Sequence, residues 1–159
     1  MTPGKLHFVA FQPHEGGFVA LLSVEGLVEL QENPQHALAR AARLYERSVR
    51  AMRCMIDDIQ GLRSQHRLLP ARIVWRLGDR VFRLRDDLAG LSMQIDGVYG
   101  HLARDLQVKR KWLEKVVTLR RYLPREDLIP PELNWGSCEK GTGRAAQRLA
   151  KGRALARDQ

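Results

Sequence analysis

Two long stretches of this chain repeat apolar residues at alternating spacings of three and four, and that period commits both to helices. Leu38, Ala42, Tyr45, Val49, Met52, Ile56 and Ile59 form the first series. Val74, Leu77, Val81, Leu84, Leu88 and Leu91 form the second, with Trp75 and Phe82 widening its stripe. Such spacing lines one face of an α-helix and neither face of a strand. Asn33-Pro34 opens the first helix, an Asn cap followed by Pro at the position whose N–H needs no partner. Gly61 is expected to close it after about 27 residues, and a loop from Leu62 to Leu69 leads to a second helix over about Pro70 to Leu91. Two matching seams and a short connection predict an antiparallel helical hairpin. Either seam, 34–60 or 70–91, is also a candidate surface for a homodimer.

The N-terminal residues have a different period. Lys5 to Phe11 and Phe18 to Leu22 read as two strands around Gln12-Pro-His-Glu-Gly-Gly17, a dense turn signal. Leu27 to Leu30 would extend the second strand beyond a break at Gly26. A lone hairpin is marginal and must pack on something. The expected organisation is therefore a β-hairpin docking element at 1–32, a helical domain at 33–138 and a basic C-terminal tail at 139–159. The fold class is mainly α: a helical hairpin followed by a helix-turn-helix, with a small N-terminal β-hairpin.

The charge distribution bears on function. The formal net charge is +9, which alone fits many polyanionic partners. It is unevenly placed: residues 1–32 carry −3, whereas residues 97–125 carry +6. Concentration of charge in a short segment predicts a binding surface, and the acidic hairpin suggests a docked protein partner.

The basic segment has a recognisable pattern. Val98 to Leu106 reads as a helix, Gln107 to Lys109 as a tight turn, and Arg110 to Tyr122 as a second helix. Leu102, Leu106, Val108, Leu113 and Val116 fall at inward positions. Ala103 sits where the two helices approach closely. Lys109, Arg110, Lys111, Glu114, Lys115 and Thr118 fall outward, and four of these six are cationic. Residues 99–118 thereby resemble the helix-turn-helix units of bacterial DNA-binding proteins. They depart from them at Gln107, where Gly is usual and a left-handed residue costs about 1 kcal/mol.

The resemblance implies a second helix lying in the major groove of DNA. Arg110, Lys111 and Lys115 would contact base edges or phosphates. Glu114 would accept from a cytosine amine or pair with Arg110, and Thr118 would touch a phosphate or a thymine methyl. Lys109, Arg120 and Arg121 would position the backbone. Trp112 is expected to face the core.

After Pro124, the string Leu128-Ile-Pro-Pro-Glu-Leu-Asn-Trp135 has no regular period, and Leu133 and Trp135 are expected to fold back on the helical body. This arrangement is broadly similar to the N-terminal helical domain of a bacterial family that carries a nuclease domain further along; the nuclease part has no counterpart in this sequence. Arg144, Arg148 and Lys151 share one helical face of the tail and would meet phosphates.

Enzyme-like patterns are lacking. His7, His14, His36, His66 and His101 show no metal-ligand spacing. Asp57-Asp58 and Asp86-Asp87 diverge on a helix rather than forming a dyad. Cys54 and Cys138 make no CxxC pair, and Cys138 reads as a small buried residue. No cofactor is implied. The N-terminus lacks the pattern of a secretory signal, and no apolar run is long enough for a membrane span. These observations predict a cytoplasmic, non-enzymatic, nucleic-acid-binding protein, with double-stranded DNA favoured over RNA. Two alternatives remain. One is a small helical subunit of a larger nucleoprotein complex, such as an RNA-guided one, holding the backbone without reading sequence. The other is a helical interaction partner such as an antitoxin or inhibitor.

Overall fold

In the computed structural model, residues 5–23, 26–27 and 33–152 are described. The chain is mostly helical, with a small three-stranded sheet near the N-terminus. Strands β1 (His7–His14) and β2 (Gly17–Leu22) are antiparallel. The turn is tighter than the sequence suggested. Only Glu15 and Gly16 lie between the strands, with φ of 45° and 81°, the left-handed pair whose twist matches a two-residue hairpin. Gln12, Pro13 and His14 accordingly belong to β1 and pair with Val19, Phe18 and Gly17.

Leu27 does not extend β2. Its amide donates to the Ser23 carbonyl at 3.0 Å, a helical contact. Residues 28–30 of the expected extension lie outside the described residues, as do Glu25, Glu29 and Glu32, which carry most of the hairpin's negative charge.

The hairpin is not a free-standing appendage. A third strand, β3 (Met93–Ile95), pairs in parallel with β1, so the order is β2-β1-β3. Parallel neighbours need a long crossover, and here the crossover contains both long helices. Strand alternation puts Val9 and Phe11 on the buried face with Met93 and Ile95. The sheet thus packs on the helices through an apolar face, and Phe11 stacks on Tyr45 with ring centroids 4.1 Å apart.

Helix α1 (Pro34–Ser64) begins as expected: the Asn33 side chain accepts from the His36 amide at 3.3 Å. It does not stop at Gly61 but continues for another turn. Helix α2 (Ala71–Ala89) packs against it. Tyr45, Val49, Met52, Ile56 and Ile59 of the first seam are buried, as are Val74, Leu77, Val81, Leu84 and Leu88 of the second. The chain's own core therefore occupies both seams. Leu38 and Ala42 at the start of the first seam, and Phe82 and Leu91 beside the second, are half-buried.

Helices α3 (Val98–Leu106) and α4 (Arg110–Tyr122) follow β3. Helix α4 crosses α2 so closely that a Cβ added at Gly78 would lie 2.8 Å from the Val116 carbonyl oxygen. A 3₁₀ turn at Glu126–Leu128 leads into the proline segment. That segment folds back onto the body: the Trp135 amide donates to the Leu69 carbonyl at 2.7 Å, the Ala71 amide donates to the Leu133 carbonyl at 2.9 Å, and Trp135 is buried. Two further helices, α5 (Gly136–Glu139) and α6 (Thr142–Ala150), end the described chain. Helix α6 buries Ala145, Ala146 and Leu149 and packs against α4. The expected tail is thus a packed helix over 142–150, and residues 153–159 lie outside the described ones. No described helix is long and apolar enough to cross a membrane.

Candidate nucleic-acid interface

The geometry of the basic segment starts at Gln107. This residue is left-handed, with φ 57° and ψ 44°. The Val108 amide donates to the Ala103 carbonyl at 3.1 Å, and the Gln107 amide to the Arg104 carbonyl at 3.3 Å. This pair of bonds closes the end of α3 in the Schellman manner, normally with glycine at the left-handed site. The strain at Gln107 is offset by the apolar contacts around it. Leu102, Ala103 and Leu106 on one side, and Leu113, Val116, Val117 and Leu119 on the other, are all buried, with Val108 half-buried between them.

A buried polar network fixes α3 to the sheet and to α1. The Phe11 amide donates to Nε2 of His101 at 3.0 Å. Nε2 is therefore the unprotonated nitrogen, and Nδ1–H donates to the Tyr45 hydroxyl at 2.9 Å. The Tyr45 hydroxyl in turn donates to Oδ2 of Asp105. Arg104 donates to Asp105 at 3.0 Å and to the Phe11 carbonyl at 2.9 Å, and Arg53 donates to the Asp105 carbonyl at 2.7 Å. Burial, reinforced by the Asp105 carboxylate, holds the Tyr45 hydroxyl protonated far above the usual phenol range. Burial, and then the Arg104 charge, push His101 below the usual imidazole value. The network supports the fold of the basic segment, with Tyr45 and Asp105 buried at its centre and Arg53 and Arg104 at its exposed edge. Cys138 is likewise buried, and burial pushes its thiol up to about 11.

The outward positions of α4 divide into three groups. Lys109, Arg110, Lys111 and Lys115 are exposed on the N-terminal half. Arg110 pairs with Glu114 at 3.0 Å, a solvated i,i+4 pair of small energetic weight. In the C-terminal half, helix α6 comes alongside. Gly143 approaches Thr118 and Tyr122, and the Thr118 hydroxyl donates to the Glu114 carbonyl at 2.8 Å. Thr118 is thus half-buried, with its hydroxyl proton committed to its own helix. Arg121 remains exposed and donates to the Tyr99 hydroxyl at 2.8 Å.

Arg120 is turned the other way. It pairs with Asp79 at 3.0 Å with both side chains under one-fifth exposed. Its guanidinium lies 4.6 Å from the centre of the Phe82 ring and 5.5 Å from that of Trp75. Arg120 therefore joins α4 to α2 and leaves the set of phosphate contacts. Helical phase accounts for this: Arg120 lies one turn from Val116 and Val117, on the buried side. On α6, Arg144 and Arg148 are exposed, as is Lys151 just past its end.

One feature of this surface requires the tertiary fold. A cleft of about 460 Å³ opens between the C-terminal half of α1 and the start of α4. Lys109, Lys111, Lys115 and Arg63 line it together with Gln60, Gln107 and Glu139, and Ile56, Ile59, Val108 and Trp112 supply its apolar part. Trp112 is only half-buried, so its expected place in the core is corrected to a place at the edge of this cleft. The Arg63 guanidinium lies 5.8 Å from the centre of its ring. Among the described residues, no group of His, Cys, Asp and Glu is arranged to hold a metal ion. No family model, curated protein or solved structure matches this chain.

Proposed function

We propose that this protein binds nucleic acid, with duplex DNA as the first candidate, through a helix-turn-helix made of α3 and α4 and carried by a helical hairpin of α1 and α2. One observation carries the proposal. Lys109, Arg110, Lys111 and Lys115 are exposed together at the N-terminal end of a helix whose opposite side is buried. That end is the part of a groove-bound helix that meets base edges. A guanidinium at Arg110 would bridge both acceptors of a guanine, and the lysines would act as point charges on phosphates. Arg121, with Arg144 and Arg148 on α6 and Lys151 just past its end, would extend the contact along the backbone. Glu114 would hold Arg110 in place or accept from a cytosine amine.

The test is a selection. Labelled random duplex is bound at low salt, recovered and sequenced through several rounds. Emergence of a site supports base reading by α4. With about six phosphate contacts, log K should fall against log[salt] with a slope near −5. Equal binding of all sequences would favour a backbone-holding subunit of a larger nucleoprotein assembly. Failure of duplex, single strand and RNA to bind at low salt would end the nucleic-acid proposal.

A further inference from the structure

The cleft beside α4 combines two chemistries that a duplex backbone alone does not need. Its lining is mostly cationic, with Arg63, Lys109, Lys111 and Lys115 against the single carboxylate of Glu139. Its inner wall includes the indole of Trp112, beside the amide side chain of Gln60. Phosphates use the first set of groups but gain nothing from the second. An unpaired nucleotide uses both, since it carries an anionic phosphate and a flat base with polar edges. The volume of about 460 Å³ is within the usual range for a small-ligand pocket, roughly 300–1,000 Å³.

We infer that this cleft binds one unpaired nucleotide next to the duplex held by α4, with the base against Trp112 and the phosphate between Arg63 and the two lysines. This rests on the nucleic-acid reading of α4, because Lys111 and Lys115 belong to both surfaces. A base inserted between the indole and the Arg63 guanidinium needs about 7 Å, two van der Waals contacts. Arg63 would therefore move outward by about 1 Å from its 5.8 Å position, which its exposed side chain permits. The preferred target is then a duplex with a single-stranded overhang rather than a blunt one.

The experiment compares a blunt DNA duplex with the same duplex carrying a short overhang, by fluorescence anisotropy at low salt. The overhang should tighten binding about tenfold, the effect of stacking one base on an aromatic ring. Trp112→Leu should reduce that ratio to less than about twofold. Arg63→Glu lies at an exposed position, so its folding is not in question, and it should also collapse the ratio. Equal binding of blunt and tailed duplexes by the unaltered protein overturns the inference and leaves duplex binding standing. A ratio that survives in both variants overturns it as well. A titration with the dinucleotide pdTpdT, read by tryptophan fluorescence, separates the two readings. Quenching that Trp112→Leu abolishes, with no duplex bound, supports the cleft and ends the duplex proposal. Absence of quenching together with absence of duplex binding ends both.

Discussion

The Phe11 backbone amide donates to Nε2 of His101 at 3.0 Å, joining β1 to α3 across 90 residues of sequence. The bond requires neutral imidazole, since a protonated Nε2 would face another N–H donor. Burial and Arg104 lower the His101 pKa; Asp105 opposes them, and Tyr45 completes the ring's surroundings. The folded state therefore binds this proton less readily than the unfolded chain. Stability contributed by neutral His101 is fully present above the unfolded value near 6.5 and is lost as pH falls from there through the lower folded value. Urea midpoints at pH 7.5, 6.5 and 5.5 should fall in that order, with a His101 contribution no steeper than about 1.4 kcal/mol per pH unit. His101→Gln should remove that part of the slope. An unchanged slope would show that His101 is not the group responsible.

The Tyr45 hydroxyl supplies a second test of the same network. Tyr45→Phe keeps the ring that stacks on Phe11 but removes the group that accepts from His101 and donates to Asp105. Two buried partners lose their bonds, so the expected loss is about 2–4 kcal/mol, larger than for a solvated hydroxyl. Chemical denaturation measures it, and a loss under about 0.5 kcal/mol would place the network outside the stabilising core.

Two glycines on adjacent helices should respond in opposite directions. Gly78→Ala forces a methyl against the Val116 carbonyl oxygen and Arg120 Cβ, at 2.8 and 2.9 Å. The helices must separate, at a cost of about 1–3 kcal/mol. Gly61 lies inside α1 with nothing within 4 Å of an added Cβ. Gly61→Ala should stabilise by up to about 1 kcal/mol through helix propensity. Thermal unfolding of the two variants distinguishes a packed glycine from a merely tolerated one.

This pair also shows where the sequence is informative. The seams, the Asn33 cap and the helix limits at Val98, Leu106, Arg110 and Tyr122 follow from local period and chemistry, and these features appear at the expected positions. Gly61 looked like a helix end because its helix propensity is poor, but the packed residues before and after it keep the helix intact. Strand β3 is three residues long, and its pairing with β1 depends on a crossover of two helices, so no local pattern announces it. Tyr45 reads in sequence as another apolar seam residue. Asp105 sits one turn beyond His101 on α3, and only the tertiary fold brings Tyr45 to the two of them. The cleft is hidden for the same reason: Arg63 and Trp112 meet because α1 and α4 do.

The cations of α4 should separate by function according to where they point. Arg120 is held by Asp79 and lies against Phe82 and Trp75. Arg120→Ala leaves the mostly buried Asp79 carboxylate with Arg83 alone, at 3.0 Å, and should cost about 1–2 kcal/mol of stability, less than breaking a fully buried pair because one partner stays and water still reaches both groups. It should leave the salt dependence of nucleic-acid binding unchanged. Lys111 and Lys115 are exposed. Lys111→Ala and Lys115→Ala should shift stability by less than about 0.5 kcal/mol, while each flattens the slope of log K against log[salt] by about 0.9 if its phosphate contact is real. Stability is read by thermal unfolding and the slope by anisotropy over a salt series. A flattened slope for Arg120→Ala, or none for either lysine, would mean that the binding face lies elsewhere on the molecule.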